Sequence, residues 1–168
     1  GLLATRTGIP STVVVKVPRS PALAALLEKV RTGYGLQILP NKPGSMATIY
    51  ELVSQGHLIG FFLDQRLTRG IPVPFFGRPA LTAPSLAVAA AKTGEDVTFL
   101  EYWREGVGRH GCRFHDPVPV TGDVEEDTAA FTRLIEGAIR QHPHSWHWLH
   151  DRWKGALAGD AAGEGPGG

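Results

Sequence analysis

The fold class is decided by the stretch TVVVKVPRSPALAALLEKVRTGYGLQIL at residues 12–39. Its first six residues are rich in β-branched side chains, which favour a short buried strand. Ser20 and Pro21 suit the cap and the first turn of a helix, and two glycines end that helix before a second apolar run at 36–39. The apolar side chains that share one face of this helix are Leu23, Leu26, Leu27 and Val30. The stretch is therefore typical of a β-α-β unit.

The same alternation continues along the chain, because a helix over Ser45–Gln55 precedes an apolar strand over His57–Leu63. Helices alternating with strands at this spacing predict an α/β fold with right-handed crossovers and a mixed, largely parallel sheet flanked by helices. A long loop is predicted over Arg66–Ala83. The later predicted elements are a helix over Pro84–Thr93, strands over Asp96–Trp103 and Cys112–His115, and an amphipathic helix over Asp123–Gln141. We expect one domain over residues 1–154 and a disordered Gly/Ala-rich tail over 155–168.

Composition excludes several classes of protein. The chain carries 17 Lys and Arg against 16 Asp and Glu, so it lacks the basic excess of a nucleic-acid-binding protein. A single cysteine, Cys112, excludes an internal disulfide, and we interpret it as a structural thiol. The longest strongly apolar run, Leu58–Leu63, is far shorter than the roughly 20 residues that span a bilayer.

Histidines and tryptophans cluster near the end of the chain. His147 and His150 share a helical spacing, but no Cys or further His stands at a spacing that completes a metal site, so no metal is expected. Burial of Trp146, Trp148 and Trp153 is the favoured interpretation of this segment.

The residues most suggestive of a ligand follow the strand that we predict over His57–Leu63. Asp64 and Gln65 come directly after it, and ligands of open α/β sheets bind at the carboxyl ends of strands. Beyond them, prolines stiffen the chain, Phe75 and Phe76 supply apolar surface, Gly77 allows close approach, and Arg78 suits a phosphate or carboxylate. This combination indicates an amphiphilic substrate with an anionic head, whereas the alternative is that Asp64 only caps the loop.

These residues resemble the late acyltransferases of lipid A biosynthesis, the lauroyl- and myristoyl-transferase family related to lysophospholipid and glycerolphosphate acyltransferases. The resemblance runs from about Gly8 to Lys154. It is carried by VVVKVP at 13–18, Arg31 with Gly33 and Gly35, Asp64-Gln65, VPFFGRPA at 73–80, and PHSWHWLHDRWK at 143–154.

The resemblance implies a glycerolphosphate-acyltransferase-like α/β fold and no cofactor. It implies transfer of a fatty acyl group from an acyl-carrier-protein or acyl-CoA thioester to a hydroxyl of a lipid A precursor or similar glycolipid. The parent protein is expected at a membrane surface, the cytoplasmic face of the bacterial inner membrane. Three basic residues, Lys16, Arg31 and Arg78, would hold anionic groups. Asp64 and Gln65 would orient sugar, phosphate or basic groups. Phe75 and Phe76 would line the acyl path, and Gly77, between Phe76 and Arg78, would belong to the same substrate-binding segment.

The family's catalytic unit is a His followed five positions later by Glu or Asp, and none of the seven histidines here has that partner. We expect the unit, with an N-terminal membrane helix, to lie in an upstream part removed before Gly1, so that this fragment is inactive. Lys16 also replaces an Arg that is usual in the family. Two alternatives stay open: a catalytically dead lipid-binding or membrane-surface module, and an unrelated small-molecule α/β enzyme.

Overall fold

A computed structural model of the chain describes residues 8–18, 20–33 and 35–156. The chain divides into two compact units, Gly1–Phe62 and Leu63–Gly168. The tail expected from residue 155 lies, from residue 157 onward, outside the described residues.

The first unit is built on a three-stranded parallel sheet. Its elements are β1 (Ser11–Val15), α1 (Pro21–Thr32), β2 (Gln37–Pro40), α2 (Ser45–Ser54) and β3 (Leu58–Gly60). The strand order is β2-β1-β3, with Val13 opposite both Ile38 and Gly60. Both neighbours of β1 are parallel to it, so the predicted β-α-β units are confirmed.

Helix α1 begins as the sequence predicts, with the Ser20 hydroxyl accepting a hydrogen bond from the Leu23 N–H and Pro21 in the first turn. Its apolar face, however, is not turned into the unit. No residue of the helix is fully buried, and the side chains turned toward the sheet are the half-buried Ala24, Leu27 and Arg31. Of the four side chains that the spacing places on one face, only Leu27 is half-buried, and Leu23, Leu26 and Val30 are exposed.

Strand β3 ends at Gly60, three residues before the predicted end. The prediction is wrong there because a continuous apolar run reports hydrophobicity and not where backbone pairing stops. Asp64 therefore does not lie directly at the end of a strand, and it belongs to the second unit.

The second unit contains two antiparallel hairpins and two helices. Its elements are β4 (Ile71–Phe75), β5 (Arg78–Thr82), α3 (Ser85–Thr93), β6 (Val97–Gly106), β7 (Arg109–Val118), α4 (Val124–Gln141) and a 3-10 turn over Pro143–Ser145. The helices match the prediction, and the predicted strands after α3 are present but longer. The α/β class is confirmed, but the prediction of one mixed, largely parallel sheet is wrong. The described strands form three sheets, of which only that of the first unit is parallel, because tight turns pair the later strands with their neighbours.

The segment predicted as a loop, residues 66–83, is mostly the β4–β5 hairpin. The prediction is wrong because proline excludes only those strand positions that must donate a ladder hydrogen bond. Pro74 lies opposite Pro79 in a pair that makes no ladder hydrogen bonds. Pro72 lies opposite Leu81, two positions further along, where the pair again makes none. The intervening residues keep their N–H groups for pairing. Those facing the core are Val73, Phe75, Ala80 and Thr82.

The hairpin packs on helix α4 to form the core of the second unit. The core consists of buried Phe75, Ala80 and Ile139 with half-buried Phe76, Ile135, Trp146 and Trp153 against them. Helix α4 is fixed at its start by Asp123, whose carboxylate accepts from the N–H groups of Glu125 and Glu126 at 2.9 Å each. This packing places the β4–β5 turn beside the C-terminal half of α4.

Candidate active-site region at the β4–β5 hairpin

The tip of the β4–β5 hairpin is a two-residue turn formed by Phe76 and Gly77. Both residues have positive φ, 50° and 75°, which is typical of a type I′ turn. Phe76 is the only non-glycine residue with positive φ in the part of the chain that the structure describes. A Cβ on Gly77 would meet no atom within 4 Å, so the tip is open.

Helix α4 holds the strained turn in place. The Phe76 N–H donates to Glu136 Oε1 at 2.8 Å, and the Arg140 guanidinium lies over the Phe76 ring at 4.7 Å from its centre. Arg140 also pairs with Glu136 at 3.8 Å. A carboxylate on the N–H and a cation on the ring offset the unfavourable backbone conformation from two sides.

Arg78 follows the turn and is exposed. Its guanidinium carbon lies 5.0 Å from the centre of the Trp153 ring, and the Trp153 indole N–H donates to the Phe75 carbonyl at 2.9 Å. The Trp153 ring orients the Arg78 guanidinium, and the N–H groups of the guanidinium stay open to solvent. Such a group binds phosphate or carboxylate in two-point fashion.

Phe75, predicted to line an acyl path, is 1% exposed and lies inside the core. Its ring meets Phe76 edge-on at 4.9 Å and packs on Trp146 and Trp153 at 5.7 and 5.6 Å. Within the described structure Phe76 therefore provides the accessible aromatic surface at the tip, and the buried Phe75 ring packs against it.

Arg152 is a buried cation that hydrogen-bonds to strand β5 and contacts the segment before β4. It donates to the Leu81 carbonyl at 2.6 Å and to the Thr82 hydroxyl at 2.7 Å, with a longer contact of 3.5 Å to the Leu63 carbonyl. Burial lowers the pKa of Arg152 from its ordinary value, and the half-buried Asp64 carboxylate acts in the opposite direction. Asp64 is therefore coupled to Arg152, while the neighbouring Gln65 is exposed.

Six of the eight residues predicted to bind substrate lie in the second unit. Phe75, Phe76, Gly77 and Arg78 form the hairpin tip and its flanks, and Asp64 is linked to them through Arg152, whose guanidinium carbon lies 5.5 Å from the centre of the Phe75 ring. Lys16 and Arg31 lie in the first unit. Lys16 is exposed one residue after β1 ends, and Arg31 lines a small cleft of about 100 Å³ between α1 and the sheet, together with Val15 and Ile38. Sequence spacing gave no signal that the eight residues divide between two units.

The sequence profile of the bacterial lipid A biosynthesis acyltransferase family matches residues 2–155, nearly the whole chain. The chain belongs to this family. Family membership supports an acyltransferase that works with an acyl donor and a lipid acceptor, and it confirms the resemblance seen in the sequence. None of the curated proteins matches the chain significantly.

The chain also buries a carboxylate that the sequence did not single out. Glu101 on β6 has a side chain only 2% exposed, and its oxygens face His115 at 3.1 Å, His142 at 3.7 Å and Arg113 at 3.9 Å. The His142 ring stacks on Trp103 at 4.6 Å. The available signal was strand parity, because Glu101 lies on the same strand face as the inward-facing Phe99 and Trp103.

The predicted aromatic anchors divide by burial. Trp146 and Trp153 pack on the core as predicted, but Trp148 is 56% exposed, so its predicted burial is wrong. Trp148 meets Trp146 edge-on at 4.6 Å and donates to the Pro143 carbonyl at 2.7 Å, contacts that do not require a buried site. Cys112 is exposed on β7.

Two other features are absent from the residues that the structure describes. No group of three or more His, Cys, Asp or Glu side chains is arranged to hold a metal ion. No described helix is long and apolar enough to cross a membrane.

Proposed function

We propose that this chain is the substrate-binding part of an acyltransferase that moves a fatty acyl group from an acyl-carrier-protein or acyl-CoA thioester to a hydroxyl of a lipid A precursor or similar glycolipid. The observation that carries the proposal is the family match over residues 2–155. In this reaction the hydroxyl oxygen bonds to the thioester carbonyl carbon and the C–S bond breaks. The hydroxyl proton passes to a base and then to the leaving thiolate.

The β4–β5 tip is assigned to the anionic and apolar parts of the substrates. Arg78 offers an oriented, solvent-accessible guanidinium for a phosphate, and Phe76 offers a half-buried ring beside it. Asp64 orients basic side chains, and its coupling to Arg152 supports this role. Lys16 and Arg31, from the first unit, hold further anionic groups of donor or acceptor, and Gln65 hydrogen-bonds sugar or phosphate oxygens.

The base is proposed to come from upstream of Gly1, because none of the seven histidines of this chain has an acid five positions later. The parent protein would then act at the cytoplasmic face of the bacterial inner membrane. This chain alone is expected to bind substrates without turning them over.

The test is an acyl-transfer assay, followed by mass spectrometry of the acceptor, on this chain and on a version extended upstream in frame. Acyl-carrier-protein and coenzyme A donors are compared with a phosphorylated glucosamine lipid as acceptor. Transfer by the extended version alone supports the proposal. Arg78→Gln should then lower transfer at least tenfold, while Arg133→Gln, at an exposed position of α4, should leave it unchanged.

A second function, a catalytically dead lipid-binding module, is favoured by the same absence of a paired histidine within the chain. It predicts binding of acyl chains or glycolipid by both versions and transfer by neither. Absence of transfer in the extended version, with glycolipid binding retained, would replace the first proposal with this one.

A further inference from the structure

Helix α1 of the first unit presents an uncovered apolar stripe. Leu23, Leu26 and Val30 are 46%, 57% and 47% exposed. At about 100° per residue these three side chains fall within roughly 60° of one another around the helix. Soluble monomeric proteins seldom expose contiguous apolar surface unless it marks a contact site, so the stripe calls for a partner.

Cations accompany this stripe. By the same helical spacing the exposed Lys29 lies about 60° from it around the helix, whereas Arg31 is half-buried and turned toward the sheet. Residues 8–33 carry four cations, Lys16, Arg19, Lys29 and Arg31, against one acid, Glu28. Lys16, Lys29 and Arg31 form no ion pair within the described residues. The partner is therefore expected to be both apolar and anionic.

We propose that this face of α1 lies on the surface of an anionic phospholipid bilayer. The three apolar side chains enter the boundary between headgroups and acyl chains, and Lys29 extends to the lipid phosphates. A second copy of the chain fits less well, because it would bring the same cations face to face. The inference rests on the proposed function only for the choice of a lipid as partner.

The experiment measures sedimentation of this chain with vesicles of phosphatidylethanolamine and phosphatidylglycerol, without donor or acceptor. Replacing both leucines, Leu23→Ser with Leu26→Ser, should weaken vesicle binding at least tenfold. Lys29→Gln should weaken it about fivefold at low salt and less at high salt, since each surface cation contributes a limited, screened attraction. The matched control is Val107→Ser, which changes a 93% exposed valine in the β6–β7 turn and should have no effect.

Several outcomes would overturn the proposal. They are vesicle binding that survives the double substitution, binding that Val107→Ser lowers equally, and a dimer in ultracentrifugation that the double substitution dissociates. Circular dichroism checks that the double variant is folded, and the salt dependence of Lys29→Gln supplies an independent test if it is not. Vesicle binding without acyl transfer by the extended version would contradict the proposed function alone. Transfer to a detergent-dispersed acceptor without vesicle binding would contradict this inference alone.

Discussion

Replacing Arg152 with methionine should destabilise the second unit by about 3 kcal/mol. Arg152 is 2% exposed and makes two short hydrogen bonds, to the Leu81 carbonyl and the Thr82 hydroxyl. Leaving a buried acceptor without its donor costs about 1–3 kcal/mol, so two such losses give roughly 2–6 kcal/mol. Two effects reduce this figure: the Thr82 hydroxyl keeps its own bond to the Ala80 carbonyl, and methionine avoids the desolvation of a buried cation.

The measurement is urea unfolding followed by tryptophan fluorescence, which reports on the second unit because residues 103, 146, 148 and 153 all lie in it. At a slope of about 2 kcal/mol/M the midpoint should fall by about 1.5 M. Arg133→Met, at an exposed position of α4, is the control and should stay within about 0.5 kcal/mol of the unsubstituted chain. A midpoint for Arg152→Met equal to that of the control, or higher, would refute the reasoning, because burial of the charge would then outweigh its hydrogen bonds.

Three further predictions concern the β4–β5 hairpin and the residues that border it. Asp64→Asn in the upstream-extended protein should lower acyl transfer at least tenfold while shifting the urea midpoint by less than half the Arg152→Met shift; near-normal turnover would exclude a functional role. Glu136→Ala, which removes the acceptor at the turn, should cost about 2 kcal/mol in the same unfolding assay, and an unchanged midpoint would show that the turn needs no support from α4. Gly77→Ala should cost about 1 kcal/mol from backbone strain alone, whereas Gly70→Ala should cost clearly more, because its Cβ would lie 2.5 Å from the Thr82 carbonyl oxygen; equal midpoints would contradict this ranking.

The sequence was most informative where local signals act alone. The cap at Ser20, the helix after Pro84 and the helix that starts near Asp123 follow from signals within a few residues. Parallel pairing of β1 with its neighbours follows from the intervening helices. These features depend little on the rest of the chain, so one sequence was enough to predict them.

The wrong and missing predictions concern features that tertiary contacts determine. Proline usually breaks strands, and only the opposition of Pro74 and Pro79 shows that these prolines occupy pairs without ladder bonds. Arg152 and Glu136 reach partners 71 and 60 residues away, at Leu81 and Phe76, so no local pattern identifies them. The hairpin residues from Phe75 to Arg78 were predicted as a candidate site, but the side chains that hold them were not.

The prolines of the β4–β5 hairpin have a consequence for association between molecules. Pro72, Pro74 and Pro79 occupy the positions whose backbone nitrogens point away from the partner strand, toward the open edges of this two-stranded sheet. A third strand arriving from another chain would find no N–H group at these positions. Edge-to-edge aggregation is thereby discouraged in a segment whose apolar side chains would otherwise favour it.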